Sequence, residues 1–120
     1  MPSRRQTLGA SGEDVAAQAL CRSGYEILGR NIRTPFGEID LLAKDEDGVL
    51  CFVEVKTRSS NAFGHPAEAV TPDKQAHLRK AAAAILQERR WDGPCRFDVV
   101  AVTMGEDGQP VVEILPDAFQ

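Results

Sequence analysis

Two strand-like runs, Gly37–Lys44 (GEIDLLAK) and Val49–Thr57 (VLCFVEVKT), flank the four residues Asp45-Glu46-Asp47-Gly48. An acidic stretch ending in glycine between two such runs signals a hairpin. A three-residue loop of Glu46, Asp47 and Gly48 puts Gly48 in the left-handed position of a bulge-type turn and pairs Asp45 with Val49. That register sets Asp40 opposite Glu54, and Glu38 opposite Lys56. Residues directly opposite share a face, with Cβ atoms about 4.5–5.5 Å apart. Glu54 and Lys56 share the same face by two-residue alternation. The other face carries Ile39, Leu41, Ala43, Val53 and Val55, the expected core side. A two-residue loop would send Asp40 away from Glu54. The chemistry of the hairpin therefore depends on its turn.

The remaining elements fall around this hairpin. A helix is expected from Ser11, a capping residue with Asp14 three positions on, through Val15, Ala16, Ala19 and Leu20 to a stop at Gly24. Residues 1–10 are expected as a flexible N-terminal arm ahead of one domain over 11–120. Tyr25–Asn31 reads as a strand, and Ser59–Pro66 as a loop. A second helix begins at Pro72 with Thr71 as its cap, and Leu78, Ala81, Ala82 and Ile85 form its apolar stripe. Lys74 points the same way as that stripe, so it either snorkels from the helix end or leans over the Glu54–Lys56 strand. Arg96–Thr103 is a β-branched interior strand and Pro110–Leu115 an edge strand. The order αβββαββ predicts an α/β fold with a mixed five-stranded sheet flanked by helices, and a crossover after the hairpin.

The chain's 120 residues suffice for one domain of this kind. No apolar run approaches the ~18 residues of a membrane span, and nothing in the N-terminal arm resembles a secretory signal. The three cysteines, Cys21, Cys51 and Cys95, stand in no metal-ligand spacing. They read as buried small hydrophobes in a reducing compartment, and a cytoplasmic location is expected. The net charge of −4 argues against a protein that coats nucleic acid by bulk electrostatics. The stretch from Arg58 to Arg90, with six Lys or Arg against three acids, still allows a local basic surface.

Phosphodiester hydrolysis needs a metal that polarises the phosphate and lowers the pKa of the attacking water. Mg²⁺ prefers one or two carboxylates supplemented by water and phosphate oxygens. Asp40, Glu54 and the carbonyl of Val55 offer such a shell, and Lys56 beside them can orient the water and stabilise developing charge. The structural alternative is an ion pair of Lys56 with Glu54 or Glu38, which needs no metal. Glu54 and Lys56 stand in an otherwise apolar run, FVEVK, where ionisable groups are costly unless paired or metal-bound. His65, in a loop beside proline, and His77, off the core stripe, are weaker leads.

The segments GEDVAAQAL, GYEILGRNIR, GEIDLLAKD and FVEVKTR, then Val70 and Lys74 at V-x-x-x-K, and RFDVVAV, occur in that order over about residues 9 to 116. Together they resemble the uncharacterised bacterial YraN-type family. That family is similar to archaeal Holliday-junction resolvases and to restriction-endonuclease-like enzymes of the PD-(D/E)xK superfamily. The resemblance implies a three-layer restriction-endonuclease-like fold, with Asp40, Glu54 and Lys56 as the catalytic motif and Glu13 as the acidic residue of the first helix. Pro35 and Phe36 precede GEID where a strict Pro-Asp pair would stand. The resemblance further suggests supporting roles for Arg58 and Lys74. The expected function is a Mg²⁺- or Mn²⁺-dependent endonuclease acting on DNA, in branched or structured form. Arg33, Arg58, Lys74 and Arg79 are its candidate phosphate contacts, and a homodimer follows from the resolvase likeness. The alternative is a non-catalytic module that keeps the nuclease fold and binds nucleic acid or protein.

Overall fold

A computed structural model describes residues 4–59 and 64–120. Helix α1 (Arg4–Arg22) leads into strands β1 (Glu26–Thr34), β2 (Gly37–Lys44) and β3 (Leu50–Ser59). A short 3₁₀ turn at Pro66–Ala69 precedes helix α2 (Pro72–Arg89), and β4 (Cys95–Met104) and β5 (Pro110–Phe119) complete the chain. The five strands form one sheet in sequence order, antiparallel except for the parallel β3–β4 pair that α2 bridges.

Both faces of the sheet are covered. Ala16, Ala17 and Leu20 of α1 pack on Leu41, Ala43, Cys51, Val53, Val100 and Val102. On the other face Leu78, Ala81, Ala82 and Ile85 of α2 pack on Ile39, Leu42, Leu50, Phe52 and Val99. The result is three layers, helix, sheet and helix, with the middle strands buried from both sides. Among the described residues no helix is long and apolar enough to cross a membrane.

The hairpin turn forms as its residues predict. The Asp45 amide donates to the Val49 carbonyl at 3.0 Å, the Gly48 amide donates to Asp45 at 3.1 Å, and Gly48 has φ +83°. The ladder then runs Lys44↔Leu50, Ala43↔Cys51, Leu42↔Phe52 and Leu41↔Val53. The second helix also begins where expected, with the Thr71 hydroxyl accepting from the Lys74 amide.

Several expectations are corrected. Helix α1 starts at Arg4, so Ser11 is an interior residue instead of a cap, and residues 4–10 of the expected arm belong to the helix. The first three residues of that arm, and residues 60–63 of the expected loop, lie outside the described residues. Of the cysteines only Cys51 is buried, while Cys21 and Cys95 are exposed near element ends; all three are free. Burial pushes the Cys51 thiol up to about 12, with the Asp98 charge adding to the effect, so it stays protonated. Ile39 does not share the face of Leu41 and Ala43 but joins the α2-side cluster. The cause lies in β1. Register would set Asn31 opposite Asp40, yet the pairing passes from Arg30↔Leu41 to Ile32↔Ile39 without that pair, and Asn31 sits at φ +50°. Asparagine enters this left-handed region more readily than most residues, and the local twist there breaks the alternation.

A buried charge network, unforeseen in the sequence, locks the other end of the sheet. Arg96 donates from Nε to Asp98 Oδ1 at 2.9 Å, from Nη1 to Asp45 Oδ2 at 2.7 Å and from Nη2 to the Tyr25 hydroxyl at 2.8 Å. Asp98 is 1% exposed, and its Oδ1 also accepts from the Asp117 amide, in the irregular part of β5 where Asp117 has φ +52°. Burial opposes the Arg96 charge, but the Asp98 hydrogen bond and charge raise its pKa above the ordinary value. Removing one partner of such a pair strands the other in low dielectric. Arg96→Met is therefore expected to cost about 3–5 kcal/mol in urea unfolding, and Arg96→Met/Asp98→Leu to recover part of that loss. Equal losses in the two variants would show that the network's value lies in packing and not in charge.

Candidate functional site

The ladder between β2 and β3 stops at Leu41↔Val53, and the next residues along the two strands are Asp40 and Glu54. Here a side chain takes over from the backbone. Asp40 Oδ2 accepts a hydrogen bond from the Val55 amide at 2.8 Å, which ties the carboxylate to β3 one residue from Glu54. Glu54 stands on the α2 side of the sheet, where its side chain is only 8% exposed. Its Oε1 lies 2.5 Å from Lys74 Nζ, at the start of α2. Glu54 and Asp98 are the two buried charged residues among those described.

The third acid comes from α1. A Cβ at Gly12 would lie 2.6 Å from Thr57 Oγ1, so this glycine lets the helix lie close against β3. Glu13 follows it, and its Oε2 accepts from Asn31 Nδ2 at 3.1 Å. Glu13 is near enough for its charge to act on Asp40. Burial pushes the Asp40 carboxyl up to about 6. The Val55 hydrogen bond opposes that rise, the charges of Glu54 and Glu13 add to it, and Lys74 offsets part of it. Asp40 thus lies within reach of the charges of two other carboxylates, Glu54 and Glu13, and of the Lys74 ammonium that pairs with Glu54.

Lys56 lies on the Glu54 face by alternation and is half-buried. It makes no hydrogen bond or ion pair among the described residues; Glu54 pairs instead with Lys74, and Glu38 with Arg33 at 3.7 Å. The ion pair that would have given Lys56 a purely structural role does not form. The four cationic candidates for phosphate contact are dispersed. Lys74 is in the site. Arg58 donates from Nη1 to the Gly64 carbonyl at 3.0 Å, while its Nε is buried with no partner among the described residues. Arg33 is 89% exposed on the β1 edge strand. Arg79 is drawn away, donating to the Gln120 carbonyl beyond β5. The sequence reading passed over Asn31, whose readiness for the left-handed region was the available signal.

Asp40 Oδ1 and Glu54 Oε2 take no part in these hydrogen bonds. Two hard oxygen donors on adjacent strands suit Mg²⁺ or Mn²⁺, with water and phosphate filling the other positions. Among the described residues no group of three or more His, Cys, Asp or Glu is placed to hold a metal ion by itself. Asp40 and Glu54 could hold a cation only with water or substrate oxygens supplying the remaining positions.

Comparison with known proteins gives relatives along nearly the whole chain. It is 46% identical to the UPF0102 protein of Trichlorobacter lovleyi, over 95% of this chain and 91% of that relative. It is 50% identical to the UPF0102 protein of Rhodococcus opacus, over 93% and 95% of the two chains. Among solved structures it is similar to a repair endonuclease from Pyrococcus abyssi, with 12% identity and a TM-score of 0.48. That match covers 88% of this chain and 41% of the endonuclease chain. Residues 12–102 match the family as a whole. The chain therefore belongs to the uncharacterised protein family UPF0102, the YraN-type family that its motifs resemble.

Proposed function

We propose that this protein is a Mg²⁺- or Mn²⁺-dependent endonuclease acting on DNA, with branched or otherwise structured DNA as its substrate. The observation that carries the reading is the meeting of Asp40 and Glu54 at the end of the β2–β3 ladder. Each has an oxygen outside the hydrogen bonds of the described residues, and the charges of Glu54 and Glu13 both act on Asp40. Carboxylates crowded in a half-buried place destabilise the protein unless a cation joins them.

Asp40 and Glu54 would hold the cation, and the Val55 amide fixes the orientation of the Asp40 carboxylate toward it. The bound cation supplies Lewis acidity toward the phosphate and lowers the pKa of the attacking water. Lys56, with no partner of its own among the described residues, orients that water and stabilises charge building on the phosphoryl oxygens. Glu13, aligned by Asn31, completes the acidic wall and positions a further water. Arg33, Arg58 and Lys74 are the proposed phosphate contacts. A second copy of the chain would serve the second strand of a branched substrate. A second reading is a module that keeps the fold and binds nucleic acid or protein without turnover, and within it the net charge of −4 favours a partner other than DNA.

The test is cleavage of linear, nicked, flapped and four-way DNA with Mg²⁺ or Mn²⁺. Asp40→Asn and Lys56→Ala should each lower the rate at least about 100-fold while leaving DNA binding in place. Binding without metal-dependent cleavage of any substrate would favour the module. Absence of both DNA cleavage and metal binding would remove the enzyme reading.

The raised Asp40 pKa gives a separate prediction. Between the ordinary value of 3.8 and about 6 the folded protein binds more protons than the unfolded chain. Metal-free stability therefore falls as pH rises through that window and stays lowered above it. In EDTA, Asp40→Asn should gain stability relative to wild type as pH rises from 4 to 7.5, by about 1–3 kcal/mol. Urea unfolding at the two pH values checks this, and a difference that does not change with pH would show that Asp40 ionises freely.

A further inference from the structure

Lys74 holds one of the two oxygens of Glu54, the carboxylate that an incoming cation would share. Its Nζ is 2.5 Å from Glu54 Oε1. Two features make this a replaceable contact. Lys74 is the third residue of α2, after Pro72 and Asp73, and its amide is bonded to the Thr71 cap. A cation in the first turn of a helix stands at the positive end of the dipole, which repels it. The side chain is also 39% exposed against 8% for Glu54, so the ammonium can leave for water whereas the carboxylate cannot. Lysine's long stem lets the charge move several ångströms without shifting the helix.

Resting on the metal-site reading above, we infer that Lys74 is an internal cation surrogate. It neutralises Glu54 in the metal-free protein, gives up that carboxylate when a divalent cation binds, and then offers its ammonium to a substrate phosphate. The charge count supports the exchange. Lys74 offers Glu54 a single positive charge and a divalent cation offers two, so the cation is the stronger counter-charge. Repulsion from the cation and from the helix dipole then act in the same direction. Lys74 is thus a positioning residue in the resting protein and a phosphate contact in the loaded one, while Lys56 stays with the water throughout.

Two measurements on the whole chain test this. Calorimetry with Mn²⁺ alone should give Lys74→Gln a dissociation constant about three- to tenfold lower than wild type, because its competitor is gone. If Lys74 instead supports the site in a fixed position, the variant will bind Mn²⁺ equally or more weakly, and the inference fails. The second measurement uses wild type and so does not depend on the variant folding. Acetylation of individual lysines, read by mass spectrometry with and without saturating Mg²⁺, should show Lys74 becoming more reactive as Glu54 releases it. Unchanged or lowered reactivity would overturn the exchange. Wild type that binds neither ion would instead remove the metal-site reading, and the exchange with it.

Discussion

The Asp45 carboxylate sets the geometry on which the rest of this protein depends. Its Oδ1 accepts from the amides of Asp47 and Val49, both at 2.9 Å, and its Oδ2 receives Arg96 from β4. The Val49 bond is the chief reason that its carboxyl stays below the usual range, with Arg96 adding to it. These contacts close a loop of three residues, and because strand side chains alternate, loop length decides which residues share a face. Five residues back from Asp45, this register brings Asp40 up to Glu54. A turn at one end of the hairpin thus fixes the chemistry at the other, with the ladder pairs from Lys44↔Leu50 to Leu41↔Val53 transmitting it.

The two ends of the sheet handle buried charge in opposite ways. On β4, Arg96 and Asp98 lie two residues apart in an apolar strand, and every group finds a partner: two carboxylates, a hydroxyl and a backbone amide. On β3, Glu54 and Lys56 have the same spacing and comparable surroundings, but they do not pair. Glu54 turns to Lys74, Lys56 has no partner among the described residues, and Asp40 keeps its proton up to about 6. Satisfied buried networks make a fold specific. Unbalanced ones persist where a ligand completes them, which is why the proposed function rests on the second cluster and not on the first.

The irregular backbone belongs to that second cluster. Asn31 at φ +50° and the missing partner of Asp40 interrupt the antiparallel β1–β2 pair, which also shifts register between Ile27 and Gly29. The interruption frees the Asp40 carboxylate to reach the Val55 amide and moves Ile39 to the other face. At the same position Asn31 donates to Glu13, which ties the helix acid to β1.

The sequence by itself determined what depends on near neighbours. The turn at Gly48, the hairpin register and the Thr71-Pro72 helix start were legible, because backbone sterics and capping act over a few residues. The αβββαββ order was legible as well, since apolar periodicity and turn residues mark each element. Only the tertiary structure decided which charge pairs with which. Lys74 could be seen to lean toward β3, but its choice of Glu54, like that of Arg96 for Asp45, joins residues far apart in the chain and depends on how helix and sheet pack. The break at Asp40 was hidden for the same reason, for it arises from a strand paired alongside. The sequence placed the Asp40 and Glu54 carboxylates opposite one another; the packing around them decided that a lysine from α2 would stand between Glu54 and water.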